Sequence, residues 1–157
     1  MGRTLNEKNT LSMLEMFVEN MRNLLVRSEF KSFGNLNIKN VYVHNARICV
    51  GEPLLITDTV EKKIRELKNG VDYFAPELKE NILIAENLMR LDFEKMDVWF
   101  FGFMVHKLVM REVPVFDPTR KPILDKHKLS PGMIDLISRC LSLTPANRPS
   151  WKDINVR

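Results

Sequence analysis

Three histidines, His44, His106 and His127, and two cysteines, Cys49 and Cys140, are the residues from which a transition-metal or thiol site would have to be built. Such sites need several imidazole or thiolate ligands at short, repeated spacings. The histidines are scattered, without Cys or carboxylate partners converging on them, and the cysteines lack metal-type spacing, so no metal centre is expected. Cys49, in Arg47-Ile48-Cys49-Val50, and Cys140, in Ser138-Arg139-Cys140-Leu141, read as buried strand and helix positions and hence as inert core thiols. Lys62-Lys63-Ile64-Arg65 and Arg120-Lys121, with Lys126 and Lys128, carry charge suited to phosphate or nucleic acid. Acids and prolines interrupt these clusters, which is the pattern of a solvated loop surface.

Two further groups invite a structural reading. Glu77 follows the rigid Ala75-Pro76 turn, and a guanidinium such as Arg148 can bind its carboxylate through two parallel hydrogen bonds. Asp97 stands alone in an apolar stretch and must find donors or suffer a large desolvation penalty. Trp99, two residues on, reads as a residue that fills volume in a buried helix.

The elements that must position these residues follow from periodicity. Leu14, Phe17, Val18, Met21, Leu24 and Leu25 recur at three- and four-residue steps, which predicts an amphipathic helix over Leu11–Arg27. Val41-Tyr42-Val43 and Arg47-Ile48-Cys49-Val50, separated by His44-Asn45-Ala46, predict a small hairpin. A charged, irregular stretch from Gly51 to Gly70 reads as a long loop, ended by a turn and a short helix near Glu77. From Phe93 to Val109 the chain is apolar on nearly every side, so this helix should be central. Arg111–Leu129, with its prolines and charges, reads as loop. Ser130-Pro131 then opens a helix with the stripe Met133, Ile134, Ile137, Cys140 and Leu141, and Ser150 can cap a last short helix. The fold class is mainly α with a small β-hairpin.

The 157 residues suit one domain, and 45% hydrophobic with 28% charged residues is ordinary globular composition. A net charge of +4 aids solubility without naming a partner, and nucleic acid is not expected. The greasiest run, Val98 to Val109, contains His106 and Lys107 and is too short for a membrane span. The polar start MGRTLNEKNT lacks a secretory pattern, so the expectation is an intracellular protein, cytoplasmic or nuclear, with no membrane association.

In order, four motifs resemble the C-terminal lobe of the eukaryotic protein kinases. Gly34-Asn35-Leu36-Asn37-Ile38-Lys39-Asn40 sits where that family has its catalytic loop, and Asp72-Tyr73-Phe74-Ala75-Pro76-Glu77 resembles the close of its activation segment. Asp97-Val98-Trp99-Phe100-Phe101-Gly102 is similar to its DVWSFG run, and Leu141 to Ser150 is similar to its closing CLxxxPxxRPS signature. The resemblance implies an N-terminal extension over residues 1–10 and a kinase-like C-lobe over 11–157. It also implies that Glu77 pairs with Arg148 to anchor the activation segment, and that Asp97 accepts backbone N–H groups of the catalytic loop.

The same resemblance exposes what is replaced. The family's catalytic aspartate corresponds to Asn35, whose amide has no useful basicity at neutral pH. Its preceding arginine is Gly34, its phosphate-neutralising lysine is Asn37, and only Asn40 survives as a magnesium ligand. The metal-binding aspartate after the hairpin corresponds to Val50 or Gly51; Glu52 would need a shifted strand end to serve. Gly70 stands where a threonine is expected. A family member would carry roughly 80 or more residues before the first helix, with a Gly-rich loop and a nucleotide-pairing lysine. The expectation is therefore an inactive, pseudokinase-like lobe without its small lobe, binding neither ATP nor magnesium. It would act on a protein partner, with an active kinase or a kinase substrate as candidates. The top of the first helix, the hairpin and Phe33 would form an uncovered apolar patch. The alternative is a Ser/Thr protein kinase with an atypical or incomplete catalytic domain.

Overall fold

The computed structural model describes residues 7–26, 32–33, 36, 40–51, 75–81 and 90–156. Helix α1 spans Glu7–Leu25, so it begins within the stretch expected as an extension before Leu11. The reason is Thr10, which is buried on the same helical face as Leu14 and Phe17 although an apolar-periodicity count passes over it. Leu14, Phe17, Val18 and Met21 are buried as the stripe predicts, joined by Met13, while Leu24 and Leu25 are only partly covered.

Strand β1, Val41–His44, pairs antiparallel with β2, Arg47–Val50, with Val41 opposite Val50 and His44 opposite Arg47. The turn is shorter than the sequence suggests, because His44 joins the ladder. Asn45 and Ala46 alone make the bend, with φ 49° and 56°. Two successive left-handed residues match the right-handed twist of the flanking strands, and asparagine tolerates that region better than most residues. Of the long stretch after the hairpin only Gly51 lies within the described residues, and Tyr73 and Phe74 lie outside them. Helix α2, Pro76–Asn81, follows with proline in its first turn, where the missing N–H costs nothing.

Helix α3, Phe93–Met110, is buried from Met96 through Gly102 and again at Met104 to His106. Asp92 caps it by accepting from the Lys95 N–H at 3.1 Å, and Arg111, at φ 61°, ends it with its N–H donating to the Lys107 carbonyl. Helix α4, Pro131–Cys140, opens on Ser130, whose Oγ accepts from the Met133 N–H at 3.3 Å. Its inner face is Met133, Leu136, Ile137 and Cys140; Leu136 takes the deep position that the pattern assigned to Ile134, which is partly covered. Between α3 and α4 the chain is loop, tied by the Ile123 N–H to the Val115 carbonyl and by a single bridge of Phe116 with Pro122.

One-turn 3₁₀ segments at Pro145–Asn147 and Trp151–Asp153 finish the chain. Ser150 does not cap the second of these through a backbone N–H; its hydroxyl donates to Asp153 Oδ2 at 2.6 Å, since a single 3₁₀ turn already engages the Asp153 N–H with the Ser150 carbonyl. Arg22 of α1 reaches across to this end, donating to the Trp151 carbonyl at 2.9 Å and the Ile154 carbonyl at 2.6 Å. Trp151 itself is wedged edge-on against Phe17 and Phe101, with centroids 6.1 and 5.4 Å away, and its Nε1 is buried without an acceptor. The molecule is thus mainly helical, with a two-stranded antiparallel sheet and α3 between α1 and α4. No helix among the described residues is long and apolar enough to cross a membrane.

At Gly102 the α4 residues leave α3 no room for a side chain: a Cβ added there would lie 2.5 Å from the Cys140 Cβ. That atom is fixed to the backbone and cannot rotate away. Gly102→Ala is expected to destabilise the fold by about 1–3 kcal/mol through overpacking, read as a lower Tm in a thermal melt. An unchanged Tm would show that the two helices can separate freely.

Candidate functional site

Among the positions suggested by the sequence, Gly34, Asn35 and Asn37 lie outside the described residues, as does Glu52. Asn40 is described, immediately before β1, and faces Gly51 across the open end of the hairpin. The Gly51 N–H donates to the Asn40 carbonyl at 2.9 Å, so the ladder extends one pair beyond Val41 and Val50. The Asn40 side chain covers the glycine: a Cβ on Gly51 would fall 1.8 Å from Asn40 Oδ1 and 2.9 Å from its Cγ. An aspartate at Gly51 therefore requires Asn40 to leave its place. Val50, the other position considered, is half-buried and packs toward the core. Neither residue offers an oxygen ligand to a hard cation through its side chain.

The buried polar groups form two anchors. Asp97, 2% exposed on α3, accepts the Phe33 N–H at 2.7 Å through Oδ2. A charged group on an otherwise apolar helix is thereby turned into a brace for the segment before Asn40. Phe33 is itself only 1% exposed, which corrects the expectation that it belongs to an uncovered apolar patch: the bond to Asp97 draws its backbone, and with it the ring, into the core.

The second anchor is Arg148. Its side chain is fully buried, with Nη1 donating to Glu77 Oε1 at 2.5 Å and Nη2 to Oε2 at 2.9 Å in the two-pronged geometry that guanidinium and carboxylate favour. Nη1 also donates to the Lys95 carbonyl at 3.0 Å, and Nε to the Ser142 carbonyl at 2.8 Å. The Lys95 ammonium returns a bond to the Arg148 carbonyl at 2.6 Å. Trp99 does more than fill volume: the Arg148 guanidinium carbon sits 5.0 Å from its ring centroid, and the ring also stacks with Phe116, centroids 5.8 Å apart. Sequence reasoning found the pair but missed the ring, because a buried tryptophan at that spacing carries no signal of which cation it meets.

The remaining chemistry-bearing residues are separate. His44 and His127 are exposed, whereas His106 is buried with Nδ1 donating to the Glu112 carbonyl at 3.1 Å, an ordinary core histidine. No group of three or more metal-ligating side chains occurs among the described residues. Cys49 is half-buried on β2 rather than buried, because only Ile48 of that strand turns fully inward. Cys140 is buried, and burial pushes its thiol up to about 12, which keeps it neutral and unreactive.

Arg148→Ala strands the Glu77 carboxylate and removes the cation from Trp99. It is expected to cost on the order of 3–5 kcal/mol, seen as a large fall in Tm; Arg148→Lys should recover only part, since an ammonium cannot engage both carboxylate oxygens in parallel. An unchanged Tm would show that the pair contributes nothing. In the native protein, iodoacetamide is expected to label Cys49 and spare Cys140 until denaturant is added, checked by peptide mass spectrometry. Native labelling of Cys140 would mean that the α3 and α4 contact opens. No protein-family model matches the chain, and no curated protein matches it.

Proposed function

We propose that this chain is a catalytically inactive, protein-kinase-like C-terminal lobe that works by binding another protein. The observation that supports it best is the closed contact of Asn40 with Gly51. A phosphoryl-transfer site of this kind needs a carboxylate after the hairpin to hold a metal ion beside the nucleotide. Of the two residues that the resemblance puts at that place, Val50 is apolar and Gly51 has the room for a side chain taken by the Asn40 amide. Asn35, at the position of the general base, is an amide as well and cannot accept a proton at neutral pH.

The groups that would only brace such a lobe are in use at the same time. Asp97 holds the Phe33 N–H, and Arg148 holds Glu77. Bracing residues in place beside substituted reactive ones fit a scaffold whose value lies in its surface. The surface has apolar material to offer: Tyr42 and Val43 of β1 are 57% and 53% exposed.

A thermal melt of the purified chain with and without Mg-ATP tests the reading. The Tm is expected to be the same in both. A ligand that binds the folded state at one hundred times its Kd adds about 2.7 kcal/mol, so a nucleotide site of useful affinity would raise the Tm visibly and overturn the proposal.

A further inference from the structure

Strand β1 and helix α3 border an open cavity of ≈ 310 Å³, lined by Val41, Tyr42 and Val43 on one side and by Phe100, Phe103 and Lys107 among others on the other. That volume is at the lower end of what binding pockets occupy. Val41, Val43 and Ile48, which sits opposite Val43 in the ladder, share one face of the hairpin, and Tyr42 between them completes the lining, so the cavity lies under that face beside β1.

Among the described residues no strand pairs with the outer edge of β1. In a hairpin with a two-residue turn the flanking residues, His44 and Arg47, form the hydrogen-bonded pair, and the bonded pairs then alternate along the ladder. Tyr42 with Cys49 and Asn40 with Gly51 are the next bonded pairs, which the Gly51 N–H to Asn40 carbonyl bond at 2.9 Å bears out. Val41 and Val43 therefore direct their N–H and C=O groups away from β2. Among the described residues the sheet has two strands only, and no third strand meets those groups.

Lys107 supplies the remaining feature. Among the described residues it is the one charged residue lining the cavity, it is exposed, and it joins no ion pair. Its neighbours on α3 are apolar, so an acid brought alongside would meet a cation at the mouth of an apolar groove.

We infer that the outer edge of β1 receives an extended segment of a protein partner as a third strand, with one large apolar side chain in the cavity and a carboxylate against Lys107. This deepens the interaction reading above and rests on it. Main-chain bonds to Val41 and Val43 supply the hold, while the cavity and the cation supply the choice of sequence. A purely apolar small molecule would leave both the edge and Lys107 unused.

The test is to pan the full chain against a random peptide library displayed on phage, then to measure the enriched sequences as capped synthetic peptides by fluorescence polarisation. Enriched peptides are expected to carry an aromatic or large aliphatic residue within about two positions of an acid, the reach of adjacent same-face neighbours on a strand. Lys107→Glu and Val43→Pro, the latter removing an outward N–H, are each expected to weaken binding at least about tenfold without lowering the Tm. Should Val43→Pro itself melt early, Lys107→Glu on its exposed side chain carries the test. Peptides that bind both variants as tightly as the parent chain overturn the edge site yet leave the interaction reading standing. Failure to enrich any sequence overturns the site as well. Self-association abolished by either variant would seat a second copy on the edge and overturn the partner assignment. A nucleotide-dependent Tm alongside intact edge binding would instead sink the inactive reading alone.

Discussion

One buried guanidinium holds the lower half of this molecule together. Arg148 has no contact with water, and every direction in which its charge could be satisfied is taken by a different part of the chain: Glu77 of α2, the Lys95 carbonyl at the start of α3, the Ser142 carbonyl after α4, and the face of Trp99. A charge withdrawn from water is costly to leave unpaired, so each of these partners is fixed by the others. The arrangement is a matter of specificity rather than of strength alone. A hydrophobic residue of similar volume could fill the space, but it could not require a carboxylate on α2 and two carbonyls from separate segments to converge.

Asp97 performs the matching task at the other side of α3, where a single carboxylate fixes the backbone at Phe33. The two anchors explain why so apolar a helix carries polar residues at all. Without them α3 could rotate or slide among its neighbours at little cost, since apolar contacts are not directional. With them, its rotation is set by Asp97 and Trp99 two residues apart, and its height by the Lys95 carbonyl. Gly102 then leaves room for Cys140 and Leu141 against α3.

Much of this was legible beforehand because the signals are local. The hairpin, the Ser130-Pro131 start of α4 and the extent of α3 follow from spacing and from residues that act on their own backbone. The Glu77 and Arg148 pair was legible for a different reason: the resemblance of the stretches around both residues to kinase motifs implies it, whereas nothing local selects Arg148 among the cations of the chain. What escaped depends on partners far away in sequence. Thr10 belongs to the buried stripe of α1, Phe33 is drawn inward by Asp97, Trp99 meets a cation, and Arg22 reaches the C-terminal carbonyls. None of these leaves a periodic trace, because a polar residue or an isolated aromatic is equally compatible with solvent until its partner is placed.

The contact of Asn40 with Gly51 separates what the backbone does from what the side chains do. The ladder bond between them uses only main-chain atoms, so it is indifferent to what either side chain does. A glycine at the end of β2 keeps the hairpin closed without a side chain of its own, and the space a side chain would need is taken by the neighbouring amide. Fold and chemistry thus rest on different atoms of the same residues. A change in the side chains need not disturb the ladder, and among the described residues no strand is paired to the outer edge of the same hairpin.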